Sequence, residues 1–333
     1  MSTERLTLSI ALSDNERTRP IAQGRFQAQG VQLLPTVVHP SEMFWRQLKY
    51  ADFDISEMSL SSLFIATARG DRRWIALPIY TSRTFFHTNV LVRTDRGIEK
   101  PADLRGKRVG VPEYQQTAAL WSRGILEHEF GVQARDIEWF MERGPDKSHG
   151  GATGFVPPPG VRLQQIAATT NIGEMLVSGE LDATLLYLTN RNLVDRSTID
   201  LSSVDVVRPL FADKRAETRR YFAKTGIYPI NHTVVLKREL HERHPWLALN
   251  LYHAFMAAKK DVERETAETM QAYLDTGLID PTAHEALQQD PKAYGMKASR
   301  RVIETIAQYV HEQGMTDRRV AVEELFAPST LEI

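Results

Sequence analysis

The sequence contains no cysteine among its 333 residues. This excludes disulfide bonds, thiolate nucleophiles and thiolate metal ligands. An excess of charge is also lacking, because 41 Lys and Arg stand against 42 Asp and Glu, for a formal net charge of -1. We therefore expect neither nucleic acid nor an anionic membrane as a partner, and any binding of an anion must rest on a local group of residues.

Long apolar runs are absent as well. No stretch of the sequence approaches the ~20 consecutive apolar residues that a membrane span needs. The first twenty residues, MSTERLTLSIALSDNERTRP, show no basic segment followed by an apolar one, so we expect a cytoplasmic protein. With 42% hydrophobic and 25% charged residues, the composition is that of a globular chain long enough for two domains.

Short apolar runs alternate with helical patterns through the first two thirds of the chain, which indicates an α/β protein with parallel or mixed sheets. The predicted strands are 6–12, 31–38, 53–58, 74–80, 87–93, 108–112, 161–166, 182–187, 204–210 and 232–238. The predicted helices are 41–50, 59–69, 116–129, 172–179 and 214–224, and the pattern after Pro245 is helical, with further helices at 281–289 and 299–313. Residues 143–161 read as a Gly/Pro-rich loop, and a loop of that length in a compact domain commonly has a function.

The stretch SRTFFHTNV, residues 82–90, carries charge inside an apolar region. If it is a strand, alternation puts Arg83, Phe85 and His87 on one face and Phe86 on the other. A charged face is costly to bury without a partner, so we expect it to line a ligand cleft, with Phe86 in the core.

Several longer motifs, in one order, carry a resemblance to a known family. They are RTRP (17–20), EMSLSS (57–62), PIYTSRTFFHTNVLVR (78–93), GKRVGVPEYQQTA (106–118) and TGIYPINHTVVLKRELHERHPW (225–246). These motifs resemble the 4,5-dihydroxyphthalate decarboxylase family, and the order of elements resembles the type II periplasmic-binding-protein fold. The resemblance implies an α/β, two-domain fold with a helical C-terminal tail. Residues 1–92 and 234–333 would form one domain and 93–233 the other, with the ligand cleft between them.

Loops that follow the predicted strands hold the first candidate site residues, because ligands of open α/β sheets bind beyond the carboxyl ends of strands. Arginines and helix N-termini in these loops suit a carboxylate. The candidates are Asp14, Arg17 and Arg19 after the first strand, Ser61 after the third, Arg83 and Phe85 after the fourth, and Glu113, Tyr114, Gln115, Gln116 and Thr117 after the sixth.

Three histidines are further candidates. His87 and His232 lie in strands expected to cross between the domains and to be neighbours at the cleft, and His149 lies among glycines that would let its loop close over a ligand. Together with Asp14 or Glu113 they could bind a divalent metal. They come from distant segments and lack the helical or hairpin spacing that metal ligands show, so we expect no metal and no other cofactor.

The resemblance implies a carboxy-lyase of phthalate catabolism that converts 4,5-dihydroxyphthalate to 3,4-dihydroxybenzoate by protonating a ring carbon. His232 or His87 would then be the general acid, and Arg83 with Arg19 would anchor carboxylate. Asp14 or Glu113 would take a hydroxyl proton. An aromatic-acid binding protein or sensor without catalysis remains an alternative, and a homo-oligomer is possible.

Overall fold

The computed structural model describes residues 5–189, 192–280, 282, 285 and 289–333. In this part of the chain eleven strands form two mixed sheets. The strands are β1 Leu6–Leu12, β2 Val31–Val37, β3 Ile55–Ser59, β4 Trp74–Arg83, β5 Leu91–Arg93, β6 Arg108–Val111, β7 Glu138–Met141, β8 Arg162–Gln165, β9 Ala183–Thr184, β10 Val207–Pro209 and β11 Ile230–Lys237.

The same residues form eleven α-helices and five short 3₁₀ helices. The α-helices are α1 Arg19–Ala22, α2 Pro40–Tyr50, α3 Leu60–Ala68, α4 Thr117–Phe130, α5 His149–Thr153, α6 Ile172–Ser178, α7 Lys214–Thr225, α8 Arg238–Arg243, α9 Leu247–Asp275, α10 Arg300–Glu312 and α11 Val322–Leu325. The 3₁₀ helices are Phe86–Asn89, Pro101–Leu104, Ala134–Asp136, Leu201–Ser203 and Pro328–Thr330.

The first sheet has the strand order β2-β1-β3-β11-β4. Strands β1, β2 and β3 run parallel, whereas β11 is antiparallel to both of its neighbours. The pairing of β11 with β4 shifts register on both sides of His232. Such irregularities redirect a side chain out of the regular alternation, and here they occur at a candidate site residue.

The second sheet has the order β10-β5-β9-β6-β7-β8. Strands β9, β6, β7 and β8 are parallel, and β5 is antiparallel to β9 and β10. The first sheet thus draws its strands from residues 6–83 and 230–237, and the second from 91–209. No observation tests the domain boundaries expected from the resemblance, and they stay a prediction.

One continuous apolar core joins the two sheets, since buried residues of both, such as Ile10 and Val109, belong to the same cluster. Helix α3 is buried over Leu60–Thr67 and α4 over Thr117–Leu126. Both helices follow parallel strands. Strands of a parallel sheet that helices cover are buried, so continuous apolar runs are expected in them. The C-terminal helix α10 packs against α3 and α4, so the helical tail completes this core.

The α/β class and the helical C-terminal part are confirmed, but the strand predicted over 87–93 is wrong in its first half. Residues 86–89 form a 3₁₀ helix and β5 begins only at Leu91. The alternation assumed for this stretch therefore ends at Arg83. As a result the two phenylalanines exchange the predicted positions: Phe86 lines a cavity, while Phe85 stacks on Tyr228 with ring centroids 4.6 Å apart.

Two further differences concern the predicted elements. Strand β7, Glu138–Met141, was not expected from the sequence. The aperiodic segment 143–161 contains the short helix α5. Most of the helix predicted at 281–289 lies outside the described residues. In the part of the chain that the structure describes, no helix is long and apolar enough to cross a membrane.

Candidate active site

A cavity of about 160 Å³ lies where loops from both sheets meet. Its lining comes from the end of β3, from the segments that follow β2, β4, β6, β7 and β9, and from the start of β11, as expected for a ligand site at strand ends. The lining residues are His39, Pro40, Ser41, Phe44, Ser59, Phe86, Gln116, Thr117, Ala118, Arg143, His149, Leu186, Leu188, Asn231 and His232. A more open cavity of about 620 Å³ shares His39, Pro40 and His232 with it.

His232 of β11 is held by a buried carboxylate. Its Nδ1 lies 3.1 Å from Oε2 of Glu57 on β3. The Glu57 carboxylate also accepts hydrogen bonds from the backbone N–H and hydroxyl of Ser13, both at 2.6 Å, and from the hydroxyl of Thr81 at 2.5 Å. Burial alone would raise the pKa of Glu57, but the hydrogen bonds from His232, Ser13 and Thr81 outweigh it and lower that pKa. Glu57 is therefore ionised.

This arrangement fixes the tautomer of His232. An ionised carboxylate can only accept hydrogen bonds, so the Nδ1 atom must carry a proton that it donates to Glu57. In the neutral ring the Nε2 atom is then the one that carries the lone pair. It accepts a hydrogen bond from Nδ2 of Asn231 at 2.8 Å.

Arg143 follows β7 and is 1% exposed. Its Nε donates to Asp195 Oδ1 and its Nη2 donates to Ser41 Oγ, both at 2.6 Å. Among the described residues its Nη1 has no hydrogen-bond partner. Burial alone would raise the pKa of Asp195, but the charge of Arg143 outweighs it and lowers that pKa, so the two groups form an ion pair. The pair holds the guanidinium at the cavity with one nitrogen unused.

His149 begins α5 and lines the same cavity. Burial, together with the nearby charge of Arg143, lowers its pKa well below the usual value, and the imidazole is neutral. Its Nδ1 lies 3.1 Å from Ser62 Oγ, and that hydroxyl donates its single proton to Ser59. A hydroxyl has one proton to give, so Nδ1 of His149 is the donor to Ser62. Its Nε2, unpartnered within the described residues, presents a lone pair.

The start of α4 contacts the start of α3 through a set of hydroxyl groups. The Ser61 hydroxyl donates to the carbonyl of Gln115 at 2.6 Å, and the Ser61 N–H donates to Thr117 Oγ1 at 3.0 Å. The Thr117 hydroxyl also lies 2.9 Å from Ser59 Oγ. These contacts join the two helices, so Ser61 and Gln115 are occupied within the protein. Gln116 and Thr117 line the cavity.

Glu113 and Tyr114, also predicted from this loop, lie behind the cavity. Glu113 accepts the backbone N–H of His149 at 2.9 Å, and burial raises its pKa. Tyr114 packs its ring against the guanidinium of Arg123, whose Cζ lies 3.8 Å from the ring centroid. Neither residue lines either cavity. Glu113 instead orients the segment that carries His149.

The three predicted arginines belong to the open cavity or to the surface. Arg17 donates to the carbonyl oxygens of Tyr80 and Thr81. Arg83 donates to Ser299 Oγ at 2.8 Å, and burial lowers its pKa to about 10. Both line the open cavity, as does Asp14, which forms an exposed ion pair with Arg19. The structure therefore does not bring these arginines to the cavity beside His149.

His87, expected beside His232, lies elsewhere. It is fully buried and its Nε2 lies 3.1 Å from Glu217 Oε1 of α7. It lines neither cavity, because the 3₁₀ helix turns its side chain toward α7 rather than along β4. The expected contact between the two histidines is wrong. Among the described residues, no group of three or more His, Asp or Glu side chains is placed to hold a metal ion.

Sequence reasoning missed Arg143, Asn231 and His39 as cavity residues, and Glu57 as the partner of His232. A signal was present for Glu57, the only charged residue of the otherwise apolar or small stretch ISEMS. Arg143 follows β7, which was not expected, and so gave no signal as a strand-end residue. His39 accepts from the N–H of Ser41 at 3.3 Å through Nδ1, which is a helix-capping role that gives no sign of a site.

Comparisons with known proteins concern the family and the fold. No family model matches the chain. The 4,5-dihydroxyphthalate decarboxylase of Comamonas testosteroni is 35% identical over 331 residues, which cover 98% of this chain and 98% of that protein. The protein of the same name from Pseudomonas putida is 43% identical over 183 residues, 54% of this chain and 70% of that one.

A solved structure shows the fold. The periplasmic aliphatic sulphonate binding protein SsuA from Escherichia coli matches with a TM-score of 0.56 at 13% identity, covering 98% of this chain and 93% of that chain. At such identity the likeness concerns the fold alone. The periplasmic-binding-protein-like fold expected from the sequence is confirmed.

Proposed function

This chain belongs to the 4,5-dihydroxyphthalate decarboxylase family and is a carboxy-lyase; from that premise we propose that its substrate is 4,5-dihydroxyphthalate and its product 3,4-dihydroxybenzoate. The observation that carries the proposal is the buried Glu57–His232 pair, whose imidazole belongs to a cavity that also holds Arg143. Relatedness to decarboxylases over nearly the whole chain favours catalysis over a sensor that only binds.

The chemistry needs a proton donor more than it needs a base. Direct loss of carbon dioxide would leave an aryl carbanion, whereas protonation of the ring carbon that bears the departing carboxylate avoids it. The hydroxyl para to that carbon supplies electron density and becomes carbonyl-like. The carbon–carbon bond then breaks, its electron pair returns to the ring, and the hydroxyl is regenerated. One proton is consumed and one carbon dioxide is released.

His232 is the general acid in this proposal. Acid catalysis uses the doubly protonated imidazole: Nδ1 keeps its hydrogen bond to Glu57, and the proton that reaches the ring carbon comes from Nε2, which in the neutral ring accepts from Asn231 instead. Glu57 acts through His232 by orienting the ring and stabilising its charged form, in the manner of a carboxylate that holds a catalytic imidazole. Phe44 packs edge-on against His232, with ring centroids 4.7 Å apart, and limits rotation of that imidazole.

His149 is the candidate partner of the para hydroxyl. Its neutral ring presents an Nε2 lone pair that can accept a hydrogen bond while the hydroxyl becomes carbonyl-like. Asp14 and Glu113, which the sequence suggested for this role, are less suited. Asp14 is paired with Arg19 at the surface, and Glu113 is engaged by the backbone of α5.

The proposal is tested by mixing the purified protein with 4,5-dihydroxyphthalate and measuring 3,4-dihydroxybenzoate by chromatography. We expect continuous conversion over many turnovers, and a His232→Asn variant should lose at least about a hundredfold in kcat because the general acid is removed. The matched control is His253→Asn, since His253 is exposed on α9. Product that stops at one equivalent of protein contradicts the proposed activity, and a His232→Asn variant with near-normal kcat contradicts the assigned role.

A further inference from the structure

Two buried nitrogen donors line the cavity without a protein partner. They are Nη1 of Arg143 and Nε2 of Gln116, and neither finds a hydrogen-bond acceptor among the described residues. Their residues are 1% and 7% exposed. Leaving a buried donor unsatisfied costs about 1–3 kcal/mol, and more for a charged group. Two such donors beside one cavity therefore indicate that a ligand's acceptor atoms complete them.

The surroundings of both donors favour an anion. Arg143 is fixed through its other nitrogens by Asp195 and Ser41, which leaves Nη1 as the nitrogen without a partner among the described residues. Gln116 is the residue before the first turn of α4, a 14-residue helix, and it makes no side-chain capping contact there. Thr117 and Ala118 of that first turn also line the cavity, and the N–H groups of a helix start attract negative charge.

We propose that Arg143 and Gln116 form the binding site for the carboxylate that remains on the aromatic ring, an inference that rests on the proposed function. The choice between the two carboxylates follows from the charge change in the reaction. The departing group loses its negative charge as it becomes carbon dioxide, so an arginine bound to it would stabilise the substrate more than the transition state and slow the reaction. A carboxylate that keeps its charge is bound equally throughout.

The departing carboxylate is then left to the apolar part of the cavity. Phe44, Phe86 and Leu186 line it together with His232. A poorly hydrated carboxylate beside apolar side chains is less stable than one in water, and its conversion to neutral carbon dioxide relieves that cost. The retained carboxylate thus lies in polar surroundings and the departing one in apolar surroundings. This difference sets the orientation of a ligand whose two halves are otherwise equivalent.

Binding of three ligands tests the assignment. Calorimetry would give the affinities of 3,4-dihydroxybenzoate, which keeps only the retained carboxylate, and of catechol, which has none, while turnover would give the KM for the dicarboxylate substrate. The first variant is Arg143→Lys, which keeps a positive charge beside Asp195. The second is Gln116→Met, which removes an amide whose nitrogen has no hydrogen-bond partner within the described residues. The controls are Arg215→Lys and Gln23→Met, at exposed positions.

We expect both variants to lower the affinity for 3,4-dihydroxybenzoate about tenfold or more, the range for a lost hydrogen bond to a charged group. The affinity for catechol should stay within about twofold of the wild-type value. If only the KM for the dicarboxylate substrate rises while 3,4-dihydroxybenzoate binds normally, Arg143 holds the departing carboxylate and the inference is overturned. Equal loss for catechol would overturn it too, as a purely structural effect. If wild-type protein binds 3,4-dihydroxybenzoate in this way but shows no turnover, the carboxylate site stands and the proposed function fails.

Discussion

Glu57 is an acid in the middle of a strand that is buried at every position. A buried carboxylate is expensive unless it is fully hydrogen-bonded, and Ser13, Thr81 and His232 supply four donors to its two oxygens. An acid that interrupts a buried run is therefore a signal that sequence reasoning can use. Its partners cannot be found in that way, because they come from three other strands and loops.

Some residues of the cavity could be predicted from the sequence, and others could not. His232, His149, Gln116 and Thr117, chosen as strand-end or loop residues, line the cavity, although their roles stay predictions. Arg83 was predicted to bind the ligand because of its charge, but its guanidinium donates hydrogen bonds to Ser299 and to backbone carbonyl oxygens. Whether an arginine is free for a ligand depends on such tertiary contacts, which composition and spacing do not contain.

A second buried acid, Glu217, makes a prediction about pH. Burial alone would raise its pKa, but hydrogen bonds from Arg220 and His87 outweigh it and lower the pKa to about 2 from 4.5. A carboxyl whose pKa is lower in the folded state stabilises that state at pH values above its unfolded pKa, and this contribution is lost as the pH falls through the folded pKa. The window for Glu217 therefore runs from about pH 4.5 down to about pH 2.

We expect Glu217→Gln to reduce the free energy of unfolding at pH 7 and the deficit to shrink as the pH is lowered from 5 to 3. Urea unfolding of wild type and variant at several pH values in this range measures it. Glu242→Gln, at an exposed site on α8, is the control and should show a small difference at every pH. A Glu217→Gln deficit that is the same at pH 7 and pH 3 would contradict the assignment of the charge as its cause.

At the scale of elements, the contact of α4 with α10 depends on a glycine. A Cβ atom added at Gly124 would lie 2.2 Å from Cδ2 of Tyr309, whose ring is buried between α4 and α10. The glycine is unfavourable for the helix by up to about 1 kcal/mol relative to alanine, and it is retained in this packing because a methyl group there would overlap the ring.

Replacing Gly124 with alanine should therefore destabilise the protein by about 1–3 kcal/mol despite the better helix propensity. The measurement is a thermodynamic cycle of urea unfolding with Gly124→Ala, Tyr309→Leu and the double variant. Because leucine removes the ring that clashes, we expect Gly124→Ala to be much less harmful in the Tyr309→Leu background. Additive effects would show that the cost has a source other than this contact.

Elements differed in how well they could be predicted, and length alone does not explain it, since β6 and β8 have four residues as β7 has and were expected. Long buried runs such as β1 and β11, and periodic helices such as α4, are visible because many positions agree. Strand β7 has four residues and lies between 3₁₀ and irregular segments. The 3₁₀ helix at 86–89 could not be predicted from alternation either, since it is set by the packing of His87 on Glu217 and Tyr221.

At the scale of the whole molecule, the cavity belongs to both sheets at once. The first sheet contributes Ser59 and His232, and the second contributes Gln116 and Arg143 through the loops after β6 and β7. A ligand that satisfies donors on one side and contacts His232 on the other should therefore stabilise both. This expectation does not depend on catalysis, because it concerns binding of a product that no longer reacts.

Hydrogen exchange measures this coupling directly. With 3,4-dihydroxybenzoate at about 100 times its Kd, the folded state gains up to about 2.7 kcal/mol. We expect slower amide exchange in residues 59–63 and 230–234, on the side of the first sheet, and also in residues 116–120 and 141–149, on the side of the second. Residues 266–275, the exposed end of α9 away from this cavity, serve as the internal control because local opening there does not involve the ligand. Protection confined to the segments of one sheet would mean that the ligand binds that sheet alone, and the cavity would then not be a site shared between the two.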